Sequence, residues 1–202
     1  MTRPPPPGSL RRRSLLHALG VAALRSLPGI GVGAALAGAA APAAAAATLS
    51  NFDITRDEDG LHLSYAVDFE LGHSVDDALM KSVPLFFVAE AEVFRDRWYW
   101  RDRRVAQAVR TWRIVYQPLT STYRVTPAGG LSQSYATRAE ALGTINRASN
   151  WRIAEPGQLE DGSHYVEFQF RLDTTQLPRP MQIGISGEPD WQLSLKRTQR
   201  IN

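Results

Sequence analysis

The sequence predicts a mainly β fold, an antiparallel and immunoglobulin-like β-sandwich with two short helices in its connections. Three stretches, 61–71, 105–116 and 164–172, alternate apolar and polar residues with the period of two that half-buried strands show. Strand follows strand without a regular intervening helix, which argues against a parallel doubly wound sheet. A sandwich is the natural way to bury so many one-sided strands, and we expect about eight or nine of them.

The first predicted element is a hairpin. Residues 61–71 form its clearer strand, and Phe52 and Ile54 indicate the strand before it. Asp57-Glu58-Asp59-Gly60 is typical of the turn between two such strands, because Asp and Gly tolerate turn conformations. The chain from Thr48 onward therefore begins with two adjacent antiparallel strands.

A short helix is predicted after this hairpin. Ser74 is in the position of an N-cap, and Asp76 and Asp77 would place negative charge in the first turn, where the helix dipole favours it. Pro84 marks the return to extended chain.

A long hairpin is predicted in the middle of the chain. Residues 85–93 are almost continuously apolar, as expected of a central strand that is buried on both faces near its start. Residues 105–116 resume the alternation, and the segment 95–104 between them would form the tip.

A second helix is predicted from a capping box. Tyr123-Arg124-Val125 reads as a short strand and Gly129-Gly130 as a turn. Thr137 is followed three residues later by Glu140, which predicts a helix that continues to about Ala148.

The C-terminal part is predicted to contain four strands. Trp151 and Ile153 belong to an edge strand that stops at Pro156-Gly157, and residues 164–172 form a second strand. Pro178 and Pro180 are expected to exclude regular structure before the last two strands. Those two strands are indicated by the apolar pair Ile183 and Ile185, and by Trp191, Leu193 and Leu195.

Residues 1–47 predict an export signal, which leaves 48–202 as a single β-sandwich domain. The segment holds five arginines, no acidic residue and an Ala-rich stretch with small-residue cleavage sites before Thr48. Arg12-Arg13 fits both a twin-arginine signal and an ordinary secretory signal. Residues 26–47 are uncharged and long enough to span a bilayer, but Ala and Gly insert weakly, so we expect cleavage and a periplasmic product.

Composition limits the chemistry of the domain. Removing the leader leaves 18 basic and 20 acidic residues, so the high isoelectric point belongs to the leader and nucleic acid is not an expected partner. The chain has no cysteine, which excludes a thiol nucleophile, a thiolate metal site and a lipid-modified N-terminal cysteine. We expect no cofactor.

Catalytic and metal motifs are weak. Gly184-Ile185-Ser186-Gly187-Glu188 fails the serine-hydrolase elbow at its last position, and Gly130-Leu131-Ser132 fails as well. The domain's three histidines, His62, His73 and His164, have no metal-ligand spacing. Asp57-Glu58-Asp59-Gly60 resembles the start of a calcium loop but lacks its later ligands. We therefore predict neither a catalytic residue nor a metal ligand.

The segment 95–104 is the one feature that favours a binding surface. On an extended strand Trp98 and Trp100 point to one face and Tyr99 to the other, with arginines around them. Aromatic rings beside guanidinium groups bind sugars, anionic polymers and protein hot spots. The alternative is structural: the rings pack on the core and the arginines pair with Asp96 and Asp102. The candidate surface residues are Arg95, Arg97, Trp98, Tyr99, Trp100 and Arg103.

Several short motifs resemble domain-of-unknown-function family 4390, an uncharacterised set of exported proteobacterial proteins. The motifs are Val83-Pro84-Leu85-Phe86-Phe87-Val88, Arg97-Trp98-Tyr99-Trp100, Leu131-Ser132-Gln133-Ser134, Asn150-Trp151-Arg152, Leu172-Asp173-Thr174-Thr175-Gln176-Leu177-Pro178 and Asp190-Trp191. The resemblance implies export and one shared fold. It also implies an association with genes for two-component sensor kinases, and it supplies no catalytic residue.

The sequence therefore favours an exported periplasmic module that binds an envelope protein or glycan and is not an enzyme. Two alternatives stay open. One is a small envelope hydrolase whose carboxylates converge only in the fold. The other is a membrane-held accessory of a sensor kinase with an uncleaved leader. The oligomeric state, the ligand and the export route do not follow from the sequence.

Overall fold

The computed structural model describes residues 47–97 and 102–201. Their strands are β1 (Thr48–Asp57), β2 (Gly60–Asp68), β3 (Leu85–Arg95), β4 (Arg103–Gln117), β5 (Thr122–Pro127), β6 (Gln133–Tyr135), β7 (Arg147–Ala154), β8 (His164–Leu172) and β9 (Ser194–Ile201). Their α-helices are α1 (His73–Met80), α2 (Arg138–Ile145) and α3 (Arg179–Gly184).

The strands form two antiparallel sheets, which confirms the predicted mainly β fold. One sheet has the order β1-β2-β7 and the other the order β6-β5-β4-β3-β8-β9. The apolar strand β3 lies between β4 and β8, as its sequence predicts, and β7 is an edge strand. Most sequential strands pair in hairpins, whereas β7 pairs back with β2, β8 pairs back with β3, and β9 reaches β8 through a long connection that contains α3.

The sheets face each other across an aromatic core. Tyr65 of β2 lies 4.7 Å from Phe168 of β8, measured between ring centroids, and Phe52 of β1 lies 5.5 Å from the same ring. Phe87 of β3 and Phe170 of β8 stack at 6.0 Å on the same side of the larger sheet. These contacts between strands of different sheets are those of a sandwich, with inward side chains interdigitating.

The capping box that predicts α2 is confirmed. The Thr137 hydroxyl accepts from the N–H of Glu140 at 3.2 Å, and the Glu140 carboxylate accepts from the N–H of Thr137 at 3.3 Å. The helix ends at Ile145, earlier than the predicted Ala148, because Arg147 already belongs to β7. The pairing of β7 with β2 takes these residues away from the helix.

The predicted N-cap of α1 is wrong. The helix begins at His73, its N-cap is Gly72, and no side chain of that turn caps it. The carboxylate of Asp190, distant in sequence, accepts from the N–H of Ser74 at 2.9 Å. This bond from the Ser74 main chain lowers the pKa of Asp190. A tertiary contact from Asp190 thus satisfies an N–H at the start of α1, where a cap from the local Ser74 side chain was expected.

The expected strand at Ile183 and Ile185 is also wrong. Residues Arg179–Gly184 form α3, with Pro180 in its first turn. Proline is compatible with a helix there, because the first turn needs no N–H donor from that residue. Trp191 lies in a 3₁₀ turn, Pro189–Trp191, and not on the last strand, which begins at Ser194. The short strand β6 has no counterpart among the predicted elements.

Candidate interaction surface

The candidate segment lies at the end of the β3–β4 hairpin. The two strands pair from Leu85 opposite Ile114 to Arg95 opposite Arg103, which confirms the long hairpin. Of the six candidate residues, Arg95, Arg97 and Arg103 are described. The remaining candidates lie outside the described residues: Trp98, Tyr99 and Trp100.

Two of the candidate arginines hold the hairpin to the loop between β7 and β8. The Arg95 guanidinium forms an ion pair with Glu160 and donates to the carbonyl of Asp161 at 2.6 Å. A nitrogen of Arg103 lies 3.7 Å from the Glu160 carboxylate. A single glutamate therefore bridges the two strands of the hairpin, and Arg95 and Arg103 have a structural task.

Main-chain and carboxylate contacts fix the base of the connecting loop. The N–H of Asp96 donates to the carbonyl of Ser163 at 2.9 Å. The N–H of Arg97 donates to the Asp102 carboxylate at 3.2 Å, which closes the loop on itself. The Asp96 carboxylate lies 3.4 Å from the guanidinium of Arg200 on β9. The structural alternative paired Asp96 with an arginine of segment 95–104, whereas the structure pairs it with Arg200 of β9.

Tyr165 of β8 completes this base. Its hydroxyl donates to the Asp102 carboxylate at 2.9 Å, and its ring stacks on Phe94 of β3 at 5.2 Å. Burial, together with the bond to Asp102, raises the pKa of Tyr165 to about 12. The hydroxyl therefore stays protonated at neutral pH and remains a donor.

Arg97 differs from its two neighbours. Among the described residues no carboxylate lies within ion-pair distance of its guanidinium, and its only hydrogen bond there is made by the main chain. The flanks of the segment are thus anchored, and Arg97 combines a main chain held by Asp102 with a side chain that forms no ion pair among the described residues. The anchors Glu160 and Tyr165 could not be identified from the sequence, because nothing local connects them to the hairpin.

A second polar feature lies on the outer face of the larger sheet. A groove of about 320 Å³ is lined by three glutamates, Glu90, Glu92 and Glu167, and by Lys196. Glu92 of β3 stands directly opposite Glu167 of β8. Glu90 accepts from Arg171 at 3.2 Å, and Glu92 forms an ion pair with Arg104. Glu167 has no such partner within the described ranges.

Comparison with known proteins places the chain by sequence. The family model described as Domain of unknown function (DUF4390) matches residues 44–201. The chain belongs to this family. No match was found among curated proteins or among solved structures.

Motifs that carry the DUF4390 resemblance have structural roles where they are described. The Asp173 carboxylate accepts from the N–H of Thr175 at 3.1 Å and from the side-chain amide of Gln176 at 2.8 Å, which forms the 3₁₀ turn after β8. Trp151 and Trp191 are buried. These positions therefore stabilise the fold of this chain.

The histidines and acidic turn of this DUF4390 member have separate local partners. Nδ1 of buried His62 lies 3.2 Å from the Asp57 carboxylate, and Nδ1 of buried His164 lies 3.0 Å from the Gly162 carbonyl. Asp57 also accepts from the N–H of Asp59 at 2.9 Å, as in an ordinary turn. Across residues 47–97 and 102–201, no three His, Asp or Glu side chains converge as metal ligands would.

The described helices are short. None of them, in the part of the chain that the structure covers, is long and apolar enough to cross a membrane.

Proposed function

We propose that the protein is an exported binding module of the cell envelope, without enzymatic activity, and that it contacts an envelope protein or glycan through the end of the β3–β4 hairpin. The observation that carries the proposal is the fixed base of the hairpin loop. Ser163 and Asp102 hold the main chain at Asp96 and Arg97, and the sequence 97–101 that follows consists of aromatic residues and arginines.

A fixed base favours binding for an entropic reason. Immobilising a side chain or loop on binding costs about 0.5–1.5 kcal/mol per side chain, so a loop whose base is already ordered retains more of its contact energy. Trp, Tyr and Arg are the residue types most enriched at binding hot spots. Arg97, Trp98, Tyr99 and Trp100 supply these types at four consecutive positions of the sequence.

Export is part of the proposal and rests on the leader. Residues 1–47 carry arginines, no acid and an Ala-rich stretch, and β1 begins immediately after them at Thr48. A cleaved leader would release the sandwich into the periplasm. An uncleaved leader would hold the sandwich at the inner membrane, which would favour the alternative hypothesis of an accessory to a sensor kinase.

In-cell cross-linking of the tagged protein, followed by mass spectrometry of the envelope fraction, tests the surface. We expect a reproducible partner for the wild type and its loss in Trp98→Ala and Arg97→Ala. Arg113→Ala is the matched control, because Arg113 is an exposed arginine of β4 that lies away from the hairpin end. If both hairpin variants fold normally and keep every interaction, the surface assignment is wrong.

The groove lined by glutamates supports a second candidate, a carboxylate hydrolase. Directly opposed residues of antiparallel strands have Cβ atoms about 4.5–5.5 Å apart, and retaining glycosidases place their two carboxyl groups at about 5–5.5 Å. Glu92 and Glu167 are such a directly opposed pair, so their carboxylates can reach the same part of the groove. The open groove and the ion pair of Glu92 with Arg104 favour binding over catalysis.

Envelope glycans offered as substrates distinguish this candidate from a binding module. Hydrolysis by the wild type and its loss in Glu167→Gln would establish the hydrolase. Partner capture unaffected by Glu167→Gln, with no hydrolysis by either protein, supports the binding module.

A further inference from the structure

Strand β4 is longer than the neighbour that covers its outer edge. β4 pairs with β5 only from Trp112 to Gln117. Ala128, the residue after β5, donates its N–H to the carbonyl of Thr111 at 2.8 Å. From Arg103 to Val109 the strand has β3 on one side and no paired strand on the other, among the residues that the structure describes.

The unpaired edge presents main-chain hydrogen-bonding groups. Residues of a strand in an antiparallel sheet alternate in the edge to which their N–H and C=O point. Because the Thr111 carbonyl points toward β5, the groups of Val109 and Gln107 point to the same side, where β5 has ended. Val109 also exposes half of its side chain, which is unusual for a valine in a strand of this sheet. An extended chain could continue the line of β5 at this place.

A cavity of about 220 Å³ lies beside the end of β5. Val109, Arg110, Thr111 and Trp112 form its β4 side, and Pro127 and Ala128 form its β5 side. This volume is smaller than the roughly 300–1,000 Å³ of sites that enclose drug-sized ligands. It is the right size for one side chain of a bound segment.

Arg110 gives this cavity a charge without a partner. Its guanidinium lies 4.9 Å from the ring centroid of Trp151 on β7. No carboxylate of the described chain approaches it within 4.0 Å. Arg110 is exposed to solvent, so an incoming carboxylate can reach its guanidinium.

A second donor close to Arg110 also lacks an acceptor. The Tyr65 hydroxyl is buried and has no hydrogen-bond partner within the described ranges. Burial raises the pKa of Tyr65, and the nearby charge of Arg110 partly offsets this rise. The phenol can donate or accept, and Tyr65 does not line the cavity, so the anion site rests on Arg110.

The charges along the free edge point to an acidic occupant. The segment Arg103–Arg110 contains three arginines and no acidic residue. Arg103 and Arg104 already have Glu160 and Glu92 as partners, which leaves Arg110 as the arginine free to take a new one.

We propose that the free edge of β4 binds an extended acidic segment of a partner protein, which adds as a strand in line with β5 and places one carboxylate on Arg110. Strand addition obtains affinity from main-chain hydrogen bonds and specificity from pockets for alternate side chains. The main chain at Gln107 and Val109 supplies the hydrogen bonds, and the cavity at Arg110 supplies a pocket for one side chain. A peptide is favoured over an acidic sugar because a sugar would use the arginine and leave the strand edge unpaired.

Calorimetric titration of the purified protein with designed peptides tests the charge. The probe is a capped hexapeptide of alternating valine and threonine with one central glutamate, and its counterpart carries glutamine. We expect the glutamate peptide to bind about tenfold more tightly, as a charged hydrogen bond of about 1.5 kcal/mol implies. Arg110→Gln should remove this difference, and Arg113→Gln on the same strand should preserve it. Near-ultraviolet circular dichroism checks that both variants fold.

Two further probes test the main-chain contacts and the class of ligand. N-methylation of alternate residues of the glutamate peptide should abolish binding, because it removes the donors that pair with β4 and changes nothing in the protein. Glucuronate should bind at least tenfold more weakly than the peptide. The proposal is overturned by glucuronate binding that needs Arg110 without any peptide binding, by peptide binding that is unaffected by Arg110→Gln, or by no binding of either peptide at millimolar concentration.

Discussion

Two tyrosine hydroxyls show how strongly the surroundings of a single polar group differ within this sandwich. The Tyr165 hydroxyl donates to Asp102 at the base of the hairpin loop. The Tyr65 hydroxyl is buried in the core beside Trp151, without an acceptor in the described structure. Burial raises the pKa of both, and for Tyr165 the bond to Asp102 adds to the effect. Both side chains are therefore sensitive to alkaline pH.

We expect the fold to lose stability above about pH 10, the ordinary tyrosine pKa. A group whose pKa is higher in the folded than in the unfolded chain contributes its full stabilisation at any pH below its pKa in the unfolded chain. This stability is lost as the pH rises through the folded value, which is about 12 for Tyr165. Urea unfolding at about pH 9 and about pH 11 measures the loss. The double variant Tyr65→Phe with Tyr165→Phe should show a smaller decline, and an equal decline would refute the assignment.

Residue-level signals in the sequence predicted only part of the proposed binding chemistry. The arginines and aromatics of segment 95–104 are adjacent along the chain and could be recognised there. Arg110 could not, because its significance depends on where β5 ends and on the distant Trp151 and Tyr65. A partner that lies far away in sequence leaves no local pattern.

Among the secondary-structure elements, the β3–β4 hairpin depends on a loop from another part of the chain. Glu160, in the connection from β7 to β8, is the shared partner of Arg95 and Arg103. Exposed ion pairs contribute about 0.2–1 kcal/mol each to stability, so this contact matters more for the position of the hairpin end than for folding.

We therefore expect Glu160→Gln to weaken partner capture while changing the free energy of unfolding by less than about 1 kcal/mol. Hydrogen exchange at the Asp96 amide, which donates to Ser163, should become faster as the loop separates from the hairpin. Glu155→Gln is the control. Glu155 lies in the same connection from β7 to β8 as Glu160, but its ion pair is with Arg152 of β7 and not with the hairpin. Unchanged exchange and unchanged capture in Glu160→Gln would show that the glutamate has no positioning role.

Elements with a strong local pattern agree between sequence and structure, and elements set by tertiary contact do not. The alternating strands and the α2 capping box could be predicted because their hydrogen bonds and burial follow short spacings. The start of α1 depends on Asp190, which no local rule includes. At Pro180 the rule against regular structure failed, because proline interrupts strands but opens helices.

For the whole molecule, the sequence identified the fold class, and the structure adds the order of the strands. The return of β7 to pair with β2, and of β8 to pair with β3, cannot be read from periodicity, because any exposed strand edge could accept a partner. That order decides which strand edges stay free, and it places Glu92 opposite Glu167. The candidate groove and the free edge of β4 are thus properties of the topology.

The predicted export signal provides a test at the scale of the whole chain. We expect the native protein from the envelope fraction to begin near Thr48, because the small-residue stretch before it fits the cleavage site of an export signal. N-terminal sequencing measures this directly, and a cytoplasmically expressed full chain provides the mass of the uncleaved form. A native protein that retains residues 1–47 would favour the membrane-held accessory.

The most direct test of the binding module is a photo-activated cross-linking amino acid placed at Arg97 in living cells. Arg97 follows the anchored base of the hairpin loop, and its side chain has no ion-pair partner among the described residues. A matched probe at Arg113 reports on exposed surface elsewhere on β4. We expect one discrete adduct from position 97, absent from position 113 and reduced when Glu160→Gln is added. The same weak, heterogeneous adducts from both positions would contradict the hairpin surface.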